Sequence, residues 1–214
     1  MPADPMNPVT AVTWGPFIQA AYEQFVSHPG QVNPAAIANM PAAYTLVRTI
    51  QMTDFLGPAQ SRVFYGFVAV GGAPKTAVVA LRGTATKMEW WDDFHWDLVP
   101  FTQIPGGGKV ARGFCDIYDT FGTMTPGQQH STPAPATFAA RYGALSTVSW
   151  RIYNQVDVVP YFPVDTAGSY QPVTTGYAIN SLGKAKWSLG CAHALNTYMH
   201  VLSPATVPLD PACS

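Results

Sequence analysis

Lys75–Phe101 reads KTAVVALRGTATKMEWWDDFHWDLVPF. Its first part, Thr76 to Leu81, is a short apolar run rich in β-branched residues with few polar breaks. Such a run predicts a strand buried on both faces, as the strands of parallel sheets are. It stops at Arg82-Gly83-Thr84, where Gly83 permits a tight turn and Thr84 offers a backbone N–H and a hydroxyl. Open α/β sheets place their sites at the carboxyl ends of strands, which makes Thr84 a candidate donor to an oxyanion. An amphipathic segment carrying Met88, Trp90, Trp91, Phe94, Trp96 and Leu98 follows at once. Strand, donor loop and apolar flap in series suit a site that stabilises developing negative charge and meets an apolar substrate.

On the amino-terminal side, residues from about Gly15 to Ser27 put Phe17, Ile18, Ala21, Tyr22, Phe25 and Val26 on one stripe, which predicts a packing helix. Tyr44–Met52 and Arg62–Val70 alternate as strands do, and Gly71-Gly72 with Pro74 turn the chain into the run at Thr76. Turns this short predict an antiparallel edge feeding a parallel core. On the carboxyl side, Phe114, Ile117, Tyr118 and Phe121 recur at helical spacing, and Pro126-Gly127 ends that helix. Thr137–Leu145 is again helical, Trp150–Asn154 is a short strand, and Val173–Asn180 is the last one. Cys191–Leu202 is expected as one final helix.

The chain has 214 residues, 48% hydrophobic and 11% charged, with 20 prolines. That describes one loop-rich globular domain with room for a core, not a disordered chain. A net charge of −1 gives no footprint for nucleic acid. No apolar run reaches the length of a membrane span. The stretch MPADPMNPVTAVTWGPF has neither a basic start nor an apolar segment after it, so no signal peptide is expected and no compartment is assigned. Three cysteines give no disulfide framework. Cys191 and Cys213 can pair and tether the last residues, and Cys115 is expected as a small buried helical residue.

Three motifs in order carry a resemblance: Arg82-Gly83-Thr84 ending a strand, Trp90-Trp91-Asp92-Asp93-Phe94, and Gly108-Lys109-Val110-Ala111-Arg112-Gly113-Phe114. Asp157-Val158-Val159-Pro160 and His193 with Tyr198 follow as later landmarks. Together, from about Tyr44 onward, the chain resembles the class 3 lipases, the fungal-type triacylglycerol lipases. The resemblance implies an α/β-hydrolase-like, mostly parallel sheet with flanking helices. It implies hydrolysis of carboxylic esters by a Ser-His-Asp triad, with a lipid or ester as substrate, a lipid interface, and no cofactor or metal. Asp157 takes the place of the acid residue, His193 that of the base, and Thr84 that of the oxyanion donor. Asp93 falls where an Asp helps to fix the oxyanion loop, and the Trp-rich segment falls where the lid does. Members of the family are often secreted.

The residues themselves argue alongside. Asp157 follows an apolar strand, where a carboxylate is otherwise out of place. His193 is expected to open the last helix, whose positive end disfavours imidazolium and keeps a base ready to accept a proton. The resemblance implies that Asp157 and His193 still approach each other, with one imidazole nitrogen on the carboxylate and the other facing the serine's place.

The serine's place is where the chain departs from the family, because there is no G-x-S-x-G in it. By comparison with the family, roughly 50 residues of strand, elbow, helix and strand are missing between Phe121 and Phe138. Trp187-Ser188-Leu189-Gly190 echoes half an elbow but lacks its leading glycine and buried strand. The expected sheet is therefore truncated in its central strands, with Trp150–Asn154 sliding over to pair in parallel with Thr76–Leu81. The expected function is that of a lipase-like chain inactive as an esterase. The alternative is a non-catalytic lipid-binding or interaction protein that uses the Trp-rich region.

Overall fold

The computed structural model describes residues 5–53, 62–83, 97–103, 108–128, 132–133, 150–161 and 176–214. They divide into two compact units, Met1–Gly15 with Ser146–Ser214, and Pro16–Leu145.

Helix α1 (Pro8–Ser27) begins earlier than the expected Gly15. Its start is chemical: the Asn7 side chain accepts from the N–H groups of Val9 and Thr10, and Pro8 takes the first helical position, where a missing N–H costs nothing. Pro16 lies inside the helix and does not end it. From Phe17 onward the helix buries Phe17, Ala20, Ala21 and Gln24, one face at helical spacing.

Strands β1 (Tyr44–Thr53), β2 (Arg62–Gly71) and β3 (Thr76–Leu81) form an antiparallel meander. Two short strands, β4 (Leu98–Pro100) and β5 (Lys109–Ala111), pair with each other. Helix α2 (Arg112–Asp119) leads into β6 (Gly122–Met124), which pairs with the middle of β1, and β7 (Thr132–Pro133) follows β6. The larger sheet runs β3-β2-β1-β6-β7, and every pair in it is antiparallel. Its core packs Phe17, Ala20, Ala21 and Ile37 with Phe64, Phe67, Ala69 and Ala80.

The expected mostly parallel α/β-hydrolase sheet is thus overturned. The reason lies between Gly71 and Thr76. Four residues reverse the chain, and a link that short can join only antiparallel neighbours, since a parallel pair needs a crossover of a dozen or more residues. Nor is β3 buried on both faces. Ala80 is buried and Val78 packs on the core, while Ala77, Val79 and Leu81 are exposed. The apolar run misleads because β-branched residues suit a pleated strand whether or not its second face is covered.

Phe121 and Gly122 also leave the expected helix. Thr120 closes α2 with its N–H on Ile117, and its hydroxyl accepts from the Thr53 N–H at 2.8 Å, which starts β6 beside β1. The helix expected at Thr137–Leu145 lies outside the described residues.

In the other unit, β8 (Arg151–Asn154) pairs in parallel with β9 (Gly176–Ile179). Trp150–Asn154 does not take the expected partner Thr76–Leu81: β3 pairs with β2, and β8 pairs with β9, in register from Arg151 opposite Gly176 to Asn154 opposite Ile179. Two helices follow, α3 (Leu189–His193) and α4 (Leu195–Leu202). The single final helix is broken at Ala194, whose backbone is extended (φ −66°, ψ 131°). Cys191 and Cys213 form a disulfide. Cys115 is free and half-buried instead of buried; burial pushes its thiol pKa up, and the carboxylates of Asp119 and Asp116 add to this. Among the described residues no helix is long and apolar enough to cross a membrane.

Candidate active site

The buried end of β8 organises the candidate site. Asn154 is fully buried and satisfies its amide within the fold. Its Nδ2 donates to Ser181 Oγ at 2.8 Å and to the carbonyl of Ala192 at 2.9 Å. Its Oδ1 accepts from the Ser181 N–H at 3.1 Å. One side chain therefore ties the strand end to the segment after β9 and to α3. After it the chain turns, with the Asp157 N–H on the Asn154 carbonyl, and brings Asp157 inward.

Asp157 is 1% exposed, and three donors converge on its carboxylate. The Val159 N–H reaches Oδ1 at 3.0 Å. The Tyr198 hydroxyl donates to Oδ2 at 2.7 Å, and His193 Nδ1 lies 2.7 Å from the same oxygen. A buried carboxylate stays charged only when hydrogen bonds replace its water, and these three do so. An ionised carboxylate can only accept, so Nδ1 is the donor of that bond, and in the neutral ring Nε2 is then the nitrogen with the lone pair.

Tyr198 acts as a strut. It accepts the Asn154 N–H at 3.1 Å while donating to Asp157. Burial, reinforced by the bond to the Asp157 carboxylate, raises the phenol pKa far above its ordinary value, so it remains a donor.

His193 is brought to Asp157, but not as expected. It is the last residue of α3 and directly precedes Ala194, the N-cap of α4, so it stands just before the last helix instead of inside its first turn. Its ring is set by the Asp157 bond and by α3. Ser188 Oγ caps that helix on the Cys191 N–H at 3.1 Å, and the Cys191–Cys213 disulfide ties it to the 3-10 turn Pro211–Cys213. The His193 side chain is 49% exposed, and among the described residues no hydroxyl bonds its Nε2. Ser188, the half-elbow serine, is a helix cap.

Arg82, before the candidate oxyanion loop, is buried: Nε donates to the Phe64 carbonyl at 3.0 Å, and its guanidinium lies over the rings of Phe25 and Tyr65. Thr84, Asp93, Trp90, Trp91 and Trp96 lie outside the described residues. Asn154 is the participant that sequence reasoning missed, since a lone asparagine at a strand end carries no signal of what it will hold. Among the described residues, no group of three or more His, Cys, Asp or Glu side chains is arranged to hold a metal ion.

Compared with protein-family models and with curated proteins, the chain finds no match.

Proposed function

We propose that this chain is a class 3 lipase-like protein, related to the hydrolases of triacylglycerols and other carboxylic esters. It keeps the acid and base of a Ser-His-Asp triad without the serine, and as it stands it is inactive as an esterase. The observation that carries the reading is the 2.7 Å bond between the buried Asp157 carboxylate and His193 Nδ1, with no partner for Nε2 among the described residues. The order of the sequence motifs supports it too; the antiparallel sheet does not.

In a serine hydrolase the base takes the serine proton at Nε2 during attack on the carbonyl, and the buried carboxylate steadies the imidazolium that forms. Asp157 and His193 are arranged for the second half of that task, with Tyr198 and the Val159 N–H holding the carboxylate still. With no G-x-S-x-G in the chain, no acyl-enzyme forms. Loss of a triad serine costs on the order of a millionfold in rate, which leaves only what an exposed imidazole can do with water.

The test is turnover of short-chain nitrophenyl esters by the whole chain. We expect none above the level of free imidazole. A rate close to that of an intact lipase, abolished both by His193→Ala and by a serine-directed phosphonate, overturns the reading, and mapping the phosphonate adduct would then name the nucleophile.

A further inference from the structure

The stretch from just after β9 to the first residue of α3 turns three large apolar side chains out into water. Leu182 is 62% exposed, Trp187 73% and Leu189 61%. An isolated exposed leucine needs no explanation, but three such side chains within eight residues, one of them a tryptophan, do.

The backbone that carries them is firmly held. The Leu182 N–H donates to Asn180 Oδ1 at 2.9 Å, and the N–H groups of Lys184 and Ala185 both donate to the Ser181 carbonyl. Gly183 takes the left-handed conformation (φ 73°) that the turn needs. The Lys186 N–H donates to the Cys213 carbonyl at 2.8 Å, and Cys213 is bonded to Cys191. A slack loop would fold its tryptophan back onto the protein, whereas here the backbone is pinned on both sides of it.

Lys184 and Lys186 alternate with the apolar residues, and neither forms an ion pair among the described residues. Tryptophan prefers the headgroup layer of a bilayer, where its ring is half in hydrocarbon and its N–H is wet. Lysines beside it meet anionic headgroups, and their methylene stems lie along the apolar boundary. A protein partner fits less well, because interface cores are depleted in lysine.

We propose that the Leu182–Leu189 loop docks on an anionic lipid surface, with Trp187, Leu182 and Leu189 entering the headgroup layer and Lys184 and Lys186 pairing with phosphate or carboxylate groups. Helix α3 starts at Leu189 and ends at His193, so docking sets the open imidazole beside the lipid. The docking itself does not rest on the ester-hydrolase reading, and it uses a different stretch from the Trp-rich segment at 88–98.

The experiment is co-sedimentation of the full chain with large vesicles of equimolar phosphatidylcholine and phosphatidylserine, and with vesicles of phosphatidylcholine alone. Binding is expected to the anionic vesicles and to weaken with added salt. Lys184→Gln and Lys186→Gln should each weaken it about fivefold, and Trp187→Ala about tenfold or more. Because these three side chains face outward, circular dichroism of each variant should match the parent. Should one variant misfold, the others carry the test. The proposal is overturned if anionic vesicles do not bind. It is also overturned if Trp187→Ala binds as the parent does while Trp91→Ala or Trp96→Ala does not. A third contrary result is that Trp187→Ala only dissociates a dimer in sedimentation velocity and leaves vesicle binding unchanged, which would make a second copy the occupant. No ester chemistry enters the assay, so its failure and that of the nitrophenyl ester test are separate results.

Discussion

Tyr198 joins two otherwise separate requirements, since its hydroxyl is acceptor for the Asn154 N–H and donor to the Asp157 carboxylate. Tyr198→Phe removes both bonds and leaves a buried carboxylate short of a donor, at a cost of about 1–3 kcal/mol, measurable by urea unfolding. The same variant has a signature in pH. The phenol pKa is raised in the folded state from its ordinary 10.0, so the folded protein holds that proton more tightly than the unfolded chain does. Its contribution is therefore fully present below the ordinary value and is lost as pH rises above it. We expect the fall in stability above about pH 10 to be shallower in Tyr198→Phe than in the parent. Equal slopes would show that the hydroxyl is not held as described. Asn154→Ala strips three hydrogen bonds from a fully buried position. We expect a loss on the order of 3 kcal/mol and a changed environment for the His193 ring in NMR spectra, because α3 loses its tie to β8.

Elements take their places by pairing and by closure. Helix α3 has only five residues, too short to persist alone. It is held by the Ser188 cap, by Asn154 on the Ala192 carbonyl, and by the disulfide that closes a sequence separation of 22 residues. Cys213→Ser should cost about 2–4 kcal/mol and broaden the His193 ring signals. Sharp, unshifted signals in that variant would assign the positioning of His193 to the cap and Asn154 alone. Strand β3 makes a second case. Val79 faces water and Ala80 the core. Val79→Thr keeps a β-branched residue and should change stability by no more than about 0.5 kcal/mol. Ala80→Asp buries an unpaired carboxylate and should cost several kcal/mol or prevent folding. Similar large losses at both positions would restore a strand covered on both faces.

At the scale of the whole molecule, the expected closure of Trp150–Asn154 onto Thr76–Leu81 gives way to pairing within each unit. Two surviving parallel strands with absent neighbours would leave rows of unpaired N–H and C=O groups, at about 1–3 kcal/mol for each buried one. The chain meets this by building separate sheets. Among the described residues β3 pairs along one edge with β2, β1 takes β6 on its other side, and β8 pairs along one edge with β9, with the Gln155 N–H extending that ladder to the Ile179 carbonyl. Whole-chain chemistry should reflect what is retained and what is absent. Any residual hydrolysis of an activated ester should be first order in protein, insensitive to a serine-directed phosphonate and lost in His193→Ala, as water attack aided by one imidazole would be.

Local pattern alone determined the strands at Tyr44 and Arg62, the presence of α1 but not its buried face, since Ile18 and Val26 of the expected stripe turn to water while Ala20 and Gln24 are buried, and the choice of Asp157 and His193. Each depends on spacing within one short segment, or on a motif read in order. The cysteine count left the pairing of Cys191 with Cys213 open, and tertiary proximity decided it. Strand direction was decided by tertiary structure too: an apolar run such as Thr76–Leu81 has the same composition whether a parallel neighbour, an antiparallel neighbour or water lies beside it. The break at Ala194 is equally silent, because alanine has the best intrinsic helix propensity, yet its backbone is extended just after Asn154 and Cys213 hold α3. That His193 meets Asp157 was legible, but what holds the pair was not. Hydrogen bonds from the Val159 N–H, the Tyr198 hydroxyl and His193 Nδ1 meet on one buried carboxylate across some forty residues of chain, and that convergence exists only once the chain has folded.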